Sequence, residues 1–347
     1  MSSRAWIWFA AVSFLWGIPY LFIRIAVDDG VPPAFLAWAR VLLGALILLP
    51  LAWRAGLLDS LRGRSRWLIA YATAEIAIPF PLIAAGEQYV SSSIAAILIA
   101  AVPLIVALLA LRFDPSERVR GSRLVGLLIG IAGVVALVGV DIAGDADELL
   151  GAGAILIAAF GYATGTMMLN RHLADLDPRA IMAAALTIAT LALTPLAVAN
   201  PPSASLSGGA IASIVVLGVL CTAAAFVFFG ALIKEVGAGR ALVITYVAPV
   251  VAVAAGVIAL GEKPGAGAVA GLLLIIAGSW LATGGAPPAG RLAASARWRR
   301  PRSRSARAAA PSQQGRSSAA GPGRRDASAP PATWPDARAC RASPPPE

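Results

Sequence analysis

The chain repeats an ordered set of residues at a fixed offset of 145 positions, and this repetition constrains its fold more than any other feature. The paired positions are Pro33 and Pro178, Pro50 and Pro195, Glu117 and Glu262, and Gly126 and Gly271. Matches between Leu, Ala or Gly carry little information in a chain dominated by these residues. A shared order of prolines and glutamates is more specific, and it predicts a duplicated unit.

Each copy of the unit contains five apolar stretches of the length that crosses about 30 Å of hydrocarbon. The predicted spans are 6–26, 34–53, 67–86, 92–111, 122–140, 149–169, 180–198, 210–232, 239–260 and 266–284. An odd number of spans per copy places the second copy upside down in the membrane. The sequence therefore predicts an all-α polytopic membrane protein whose ten transmembrane helices form two inverted five-helix repeats, 5–141 and 149–285.

The net charge of +10 comes almost entirely from residues 286–347. This stretch holds twelve arginines against Asp326, Asp336 and Glu347, a balance of +9, so the rest of the chain has a net charge of +1. We predict a disordered, basic cytoplasmic tail, because few large apolar groups are available there to offset the entropy of ordering. A nearly neutral body gives no reason to expect a nucleic-acid partner.

Arginine and lysine lie in the loops that follow even-numbered spans. These cations are Arg54, Arg62, Arg64, Arg66, Arg112, Arg118, Arg120, Arg123, Arg171, Arg179, Lys234 and Arg240. The opposite loops carry Asp28, Asp29, Asp141, Asp145, Asp147 and Glu148 but only one cation, Lys263. The positive-inside rule therefore predicts that both termini are cytoplasmic. The preference for arginine over lysine and the high alanine content favour a bacterial plasma (inner) membrane.

Several short motifs fall in a characteristic order along the spans. They are Leu15-Trp16-Gly17, Pro32-Pro33 followed by Arg40, the stretch from Gly86-Glu87-Gln88 to Val102-Pro103, Tyr246-Val247-Ala248-Pro249 and Leu260-Gly261-Glu262. With these motifs the chain resembles the EamA-type transporters of the drug/metabolite transporter superfamily. The resemblance implies two inverted repeats, a substrate cavity between them, and movement of amino acids, other metabolites or drugs, often outward. The second half departs from the pattern, since Ala185 stands where an equivalent of Arg40 would lie.

Three charged residues within or beside the spans are candidates for substrate binding. Glu75 lies deep in span three, just before Pro79, and a buried charge of this kind needs a partner or a wet cavity. Glu75 either contacts substrate and cycles a proton, or is permanently paired with Arg40. Arg40 is predicted to form an ion pair with Glu75 or Glu87. Glu87 is expected to lie with Gln88 at the solvated outer mouth of span three.

The remaining candidates are aromatic residues, prolines and paired glutamates. Trp16, Tyr20, Tyr162 and Tyr246 either line a cavity or serve packing and interfacial anchoring. Pro103 and Pro249 are expected to kink spans four and nine symmetrically. Glu117 and Glu262 each precede a span, and we expect their carboxylates to favour the positive end of the helix that follows.

Composition and motifs favour a secondary transporter of small organic molecules. The sequence has no phosphate-binding loop for ATP, no metal-ligand spacing and no cofactor motif. Proton coupling through Glu75 or passive transport would each fit. A flippase for a lipid or lipid-linked carrier is the alternative, and a membrane-embedded enzyme is disfavoured because no catalytic set of residues converges. Pairs of glycines four residues apart predict close packing within the chain first and a homodimer contact second.

Overall fold

The computed structural model describes residues 2–113, 121–203 and 205–282. The predicted tail, 286–347, and Glu117 lie outside the described residues, so the expectations for them stay predictions. All regular structure within the described residues is helical. These residues belong to one compact unit.

Ten apolar helical segments follow one another along the described chain. They are α1 (Ser3–Asp28), α2 (Pro33–Arg54), α3 (Ser65–Gly86), α4 (Ser92–Arg112), α5 (Ser122–Ile142), α6 (Ala146–Leu173), α7 (Pro178–Ala199), α8 (Gly208–Val236), α9 (Ile244–Leu260) and α10 (Ala266–Ala282). Eight of these segments, α1 to α8, are long and apolar enough to cross a membrane. The last two have 17 residues each. The chain is a multi-pass membrane protein, and we call α1–α5 the first half and α6–α10 the second half.

Local sequence explains where many helices begin. Side-chain oxygen atoms of five residues before helix starts accept hydrogen bonds from backbone N–H groups of the first turn, as N-caps do. These residues are Ser2, Ser91, Asp145, Asp177 and Ser207. Both α2 and α7 begin with a proline, Pro33 and Pro178. Proline is well suited to this position because it has no N–H, and an N–H in the first turn would have no acceptor within the helix.

Six of the segments are not regular α-helices throughout, namely α1, α3, α4, α5, α6 and α8. A π-helical turn, Thr73–Ala77, precedes Pro79 in α3, and a longer one, Val216–Ala224, interrupts α8. In α4 the α-helical stretch ends at Ile99 and resumes at Val102, just before Pro103. Pro249 instead lies inside an uninterrupted helix. The two prolines predicted to kink their spans alike therefore have different local backbone structure.

The two halves contact each other through helices that occupy corresponding places in each half. Helix α2 packs against α7, α4 against α9 and α5 against α10. Helix α1 packs against α8 and α9, and its counterpart α6 packs against α3 and α4. Each contact thus has a counterpart in which every helix is replaced by the one five places along the chain.

The closest contact between the halves is a glycine seam between α5 and α10. A Cβ added to Gly133 would lie 2.8 Å from the Cβ of Leu274, and one added to Gly271 would lie 3.0 Å from the carbonyl oxygen of Gly133. Glycine allows this approach because it has no side chain. The prediction that glycines spaced four residues apart serve packing within the chain is confirmed for Gly271.

Candidate functional site

Arg40 lies inside the bundle, seven residues or about 10 Å along α2 from Pro33. Its Nε donates a hydrogen bond of 3.0 Å to Oγ1 of Thr222 in α8. Its Cζ lies 4.2 Å from the centre of the Phe80 ring in α3, within the range of a cation–π contact. Arg40 is therefore held by one residue from each half of the chain.

The predicted ion pair between Arg40 and Glu75 or Glu87 is wrong. Within the described residues, Arg40 has no carboxylate oxygen within 4.0 Å. On insertion scales, a charged side chain at the centre of a membrane helix carries a free-energy cost of about 3 kcal/mol. Here a hydroxyl and an aromatic face compensate part of that cost instead of a carboxylate.

Glu75 lies ten residues, or about 15 Å, into α3, close to the middle of a bilayer of about 30 Å. The π-helical turn around it, Thr73–Ala77, ends two residues before Pro79, which has no N–H to donate to the preceding turn. Glu75 packs directly on α6, because a Cβ added to Gly165 would lie 3.2 Å from the Cβ of Glu75. Its Oε2 is buried and has no hydrogen-bond partner among the described residues. The predicted permanent ion pair between Glu75 and Arg40 is therefore absent from the described residues.

Three tyrosines connect these charged groups into one polar set. Tyr20 is within electrostatic range of Arg40 and Glu87, and Tyr162 is within range of Arg40 and Glu75. Tyr71 is within electrostatic range of Glu75. Tyr162 also packs against the two apolar clusters on either side of it, one containing Ile76 and the other Ile83. We call Arg40, Glu75, Glu87, Tyr20 and Tyr162 the polar column.

Glu87 is not solvated at an outer mouth, as the sequence suggested. Its residue is fully buried, and both carboxyl oxygens have no hydrogen-bond partner among the described residues. Arg24 shields this end of α3, since its Nη1 donates to the carbonyl oxygens of Glu87 at 2.6 Å and Val90 at 3.2 Å. The neighbouring Gln88 is exposed and does not belong to the polar column.

Two carboxylates close this end of the bundle by capping helices of the opposite half. The carboxylate of Glu262, which follows α9, accepts hydrogen bonds from the backbone N–H groups of Ser92 at 2.8 Å and Ser93 at 3.0 Å, and from the Ser93 hydroxyl. Asp141 in α5 accepts from the N–H groups of Gly267 at 3.1 Å and Ala268 at 2.6 Å. Glu262 was expected to favour the following helix, α10. It caps α4 instead, and Asp141 caps α10.

The other end of the bundle, where the N-terminus lies, has contacts of a different kind. Arg64 forms an exposed ion pair with Asp175 at 2.7 Å and donates to the carbonyl oxygen of His172. The imidazole ring of His172 stacks on Trp67, with ring centres 3.4 Å apart. We call this the near end and the end with Glu262 and Asp141 the far end.

Two of the predicted aromatic residues lie elsewhere. Trp16 packs against Phe226 and Phe229 of α8, with ring centres 5.5 and 4.8 Å away, in an apolar cluster at the α1–α8 contact. Tyr246 lies half-buried in the first turn of α9. Sequence reasoning missed Thr222, Phe80 and Asp141. Thr222 and Phe80 sit in apolar runs without any distinguishing pattern, and Asp141 resembled an ordinary loop carboxylate.

Comparison with known proteins places this architecture in one family. The sequence profile of the EamA-like transporter family matches residues 3–139 and again 149–284. A solved crystal structure superposes with a TM-score of 0.57 at 21% identity, covering 82% of this chain and 97% of the other. At that identity the similarity concerns the fold alone.

Several proteins are similar in sequence, two of those named here over nearly all of their length. A protein of Archaeoglobus fulgidus named an uncharacterized transporter is 26% identical over 295 residues, covering 82% of this chain and 98% of that protein. The uncharacterized transporter YoaV of Bacillus subtilis is 23% identical, covering 79% of this chain and 94% of its own. Protein PagO of Salmonella typhimurium is 32% identical over 130 residues, which are 37% of this chain and 42% of that protein.

Proposed function

The chain belongs to the EamA-like transporter family, and from this premise we propose that it is a secondary transporter of small organic metabolites such as amino acids or drugs. Family membership indicates a transporter rather than an enzyme. The observation that carries the proposal is the polar column. Its charged and hydroxyl groups extend from Glu75 near mid-bilayer depth to Glu87 at the end of α3, and they come from both halves of the chain.

We propose that transport proceeds by alternating access between two inverted five-helix repeats. The paired helix contacts described above support this arrangement, because each contact is repeated five helices further along the chain. Arg40 contacts Thr222 and Glu75 packs on Gly165, so both contacts join opposite halves. Relative movement of the halves would change the surroundings of both charged groups. We expect both termini in the cytoplasm of a bacterial inner membrane and net transport outward, as the family resemblance implies.

Glu75 is the residue through which we expect proton coupling. Its carboxyl group has an unpartnered buried oxygen and lies at the contact between α3 and α6. A carboxyl group in this position can exchange a proton when the halves separate and water reaches it. Arg40 would then remain the permanent charge of the polar column.

The test is efflux of labelled amino acids and cationic drugs from proteoliposomes containing the full chain, with and without an imposed pH gradient. We expect flux that collapses with a protonophore, and we expect Glu75→Gln to abolish its dependence on the gradient. Asp147→Asn is the matched control, because Asp147 is an exposed carboxylate in the first turn of α6. Unchanged flux and pH dependence in Glu75→Gln would remove Glu75 from the mechanism, and absence of flux for every compound class would count against transport itself.

A further inference from the structure

Arg40 has hydrogen-bonding capacity that the protein does not use. A guanidinium carries five N–H donors, and its two terminal amino groups form the flat fork that matches a carboxylate. Only Nε is engaged, by Thr222. Within the described residues, the terminal groups Nη1 and Nη2 make no hydrogen bond or ion pair.

The surroundings of Arg40 place the free fork inside the bundle. Thr222 of α8 and the Phe80 ring of α3 hold its Nε and one face of the guanidinium. Tyr20 of α1 and Tyr162 of α6 lie within electrostatic range. Four other helices therefore surround this side chain, which is still only half-buried.

The second half contains no equivalent charge. Ala185 occupies the corresponding position in α7, and it is fully buried. The polar column therefore offers one fixed cation, together with the carboxyl groups of Glu75 and Glu87. A single cation can neutralise one negative charge, and it disfavours a doubly charged phosphate, whose second charge would have no cation to meet.

We propose that the free fork of Arg40 is the receptor for the carboxylate group of the transported molecule. The inference rests on the proposed transport function and narrows the substrate class to molecules bearing one carboxylate. Bidentate hydrogen bonding from Nη1 and Nη2 would fix the orientation of that group. Thr222 positions the fork by accepting the hydrogen bond of Nε, which leaves Nη1 and Nη2 available.

The test compares ligands that differ only in the charged group. Purified full-length protein is titrated with L-amino acids, their amides, the corresponding monocarboxylic acids without the amine, and phosphate monoesters, and binding is followed by the shift of the thermal unfolding midpoint. We expect carboxylates to raise the midpoint and their amides not to do so. The proposal is overturned if amides stabilise as well as acids, if only phosphate monoesters stabilise, or if no carboxylate does.

Variants assign the discrimination to Arg40. Arg40→Gln should weaken carboxylate binding about tenfold or more, the loss expected for a charge-assisted contact. Arg40→Lys keeps the charge but loses the fork, and should also weaken it. Arg24→Gln is the matched control, since Arg24 is already occupied by Asp28 and two backbone carbonyls. It should lower the midpoint of the free protein and keep the preference for acids.

Thr222→Val keeps the test decisive if Arg40→Gln does not fold. This change removes the acceptor of Nε, together with the hydrogen bond that the Thr222 hydroxyl donates to the carbonyl oxygen of Leu217 at 2.8 Å, so the charge stays while its orientation is released. We expect weaker carboxylate binding with the acid-over-amide preference reduced, and unaltered binding would refute the positioning role. Flux of neutral or cationic compounds without carboxylate binding would overturn this inference and leave the transport proposal standing. Absence of both flux and binding for every class would overturn both.

Discussion

Replacing Gly278 with alanine probes the seam that joins the two halves. An added Cβ would lie 2.5 Å from the Cα of Gly130 and 2.6 Å from the carbonyl oxygen of Gly126. Carbon atoms in good contact are about 3.5–4.0 Å apart. Helices α5 and α10 must therefore separate by about 1 Å at this point, because the atoms in the way are backbone and cannot rotate aside.

Over-packing of this kind costs about 1–3 kcal/mol in a well-packed interior. The gain in helix propensity from glycine to alanine opposes it by about 1 kcal/mol at most. Gly153→Ala is the matched control, because Gly153 lies within α6 and an added Cβ there would meet nothing within 4 Å. The control isolates the propensity term, so the difference between the two variants reports the clash.

The assay is reversible unfolding of the detergent-solubilised protein, followed by tryptophan fluorescence. We expect the free energy of unfolding of Gly278→Ala to fall below that of Gly153→Ala by about 1–3 kcal/mol. We also expect Gly133→Ala to behave like Gly278→Ala, since its added Cβ would lie 2.9 Å from the backbone nitrogen of Ile275. Equal stability of Gly278→Ala, Gly153→Ala and the unmodified protein would show that α5 and α10 are not packed as closely as described.

Three further predictions concern charged groups at the two ends and the middle of the bundle. Glu262→Gln should destabilise the protein by about 1–3 kcal/mol, because its amide N–H₂ would face the N–H groups that the carboxylate now caps; an unfolding titration equal to that of the unmodified protein would contradict the cap. Arg64→Ala should cost no more than about 1 kcal/mol in the same titration, as expected for an exposed ion pair, and a larger loss would mean that the near end is held more firmly. Phe80→Leu removes the aromatic ring that contacts Arg40 and should weaken binding of carboxylate ligands. The thermal unfolding midpoint of the free protein should change less than in Gly278→Ala. Unchanged binding would show that the cation–π contact plays no part in the site.

Hydropathy predicts the helical segments well because it depends only on local sequence. The predicted spans 34–53, 67–86 and 92–111 correspond to Pro33–Arg54, Ser65–Gly86 and Ser92–Arg112. Apolar runs of this length have few alternatives to a helix in a membrane. The π-helical stretch Val216–Ala224 was not predicted, since nothing in its apolar sequence distinguishes it from its helical flanks.

Partners across the two halves could not be predicted in the same way. Glu262 lies four residues before α10, so local reasoning assigned it to the start of that helix. Its carboxylate instead reaches Ser92 and Ser93, about 170 positions away, because α4 and α9 are packed against each other. The same long-range packing buries Glu87, which the sequence places just beyond a span and hence at a solvated edge.

The two ends of the bundle are held by contacts of unequal strength, and this bears on how the halves can move. At the far end, separating α4 from α9 would expose the capped N–H groups of Ser92 and Ser93, each losing a charge-assisted bond worth about 1.5–3 kcal/mol. At the near end, the exposed pair of Arg64 and Asp175 contributes about 0–1 kcal/mol, since water and salt replace it readily. If the halves move as proposed, breaking the pair of Arg64 and Asp175 at the near end would cost less than releasing the caps that Glu262 forms at the far end.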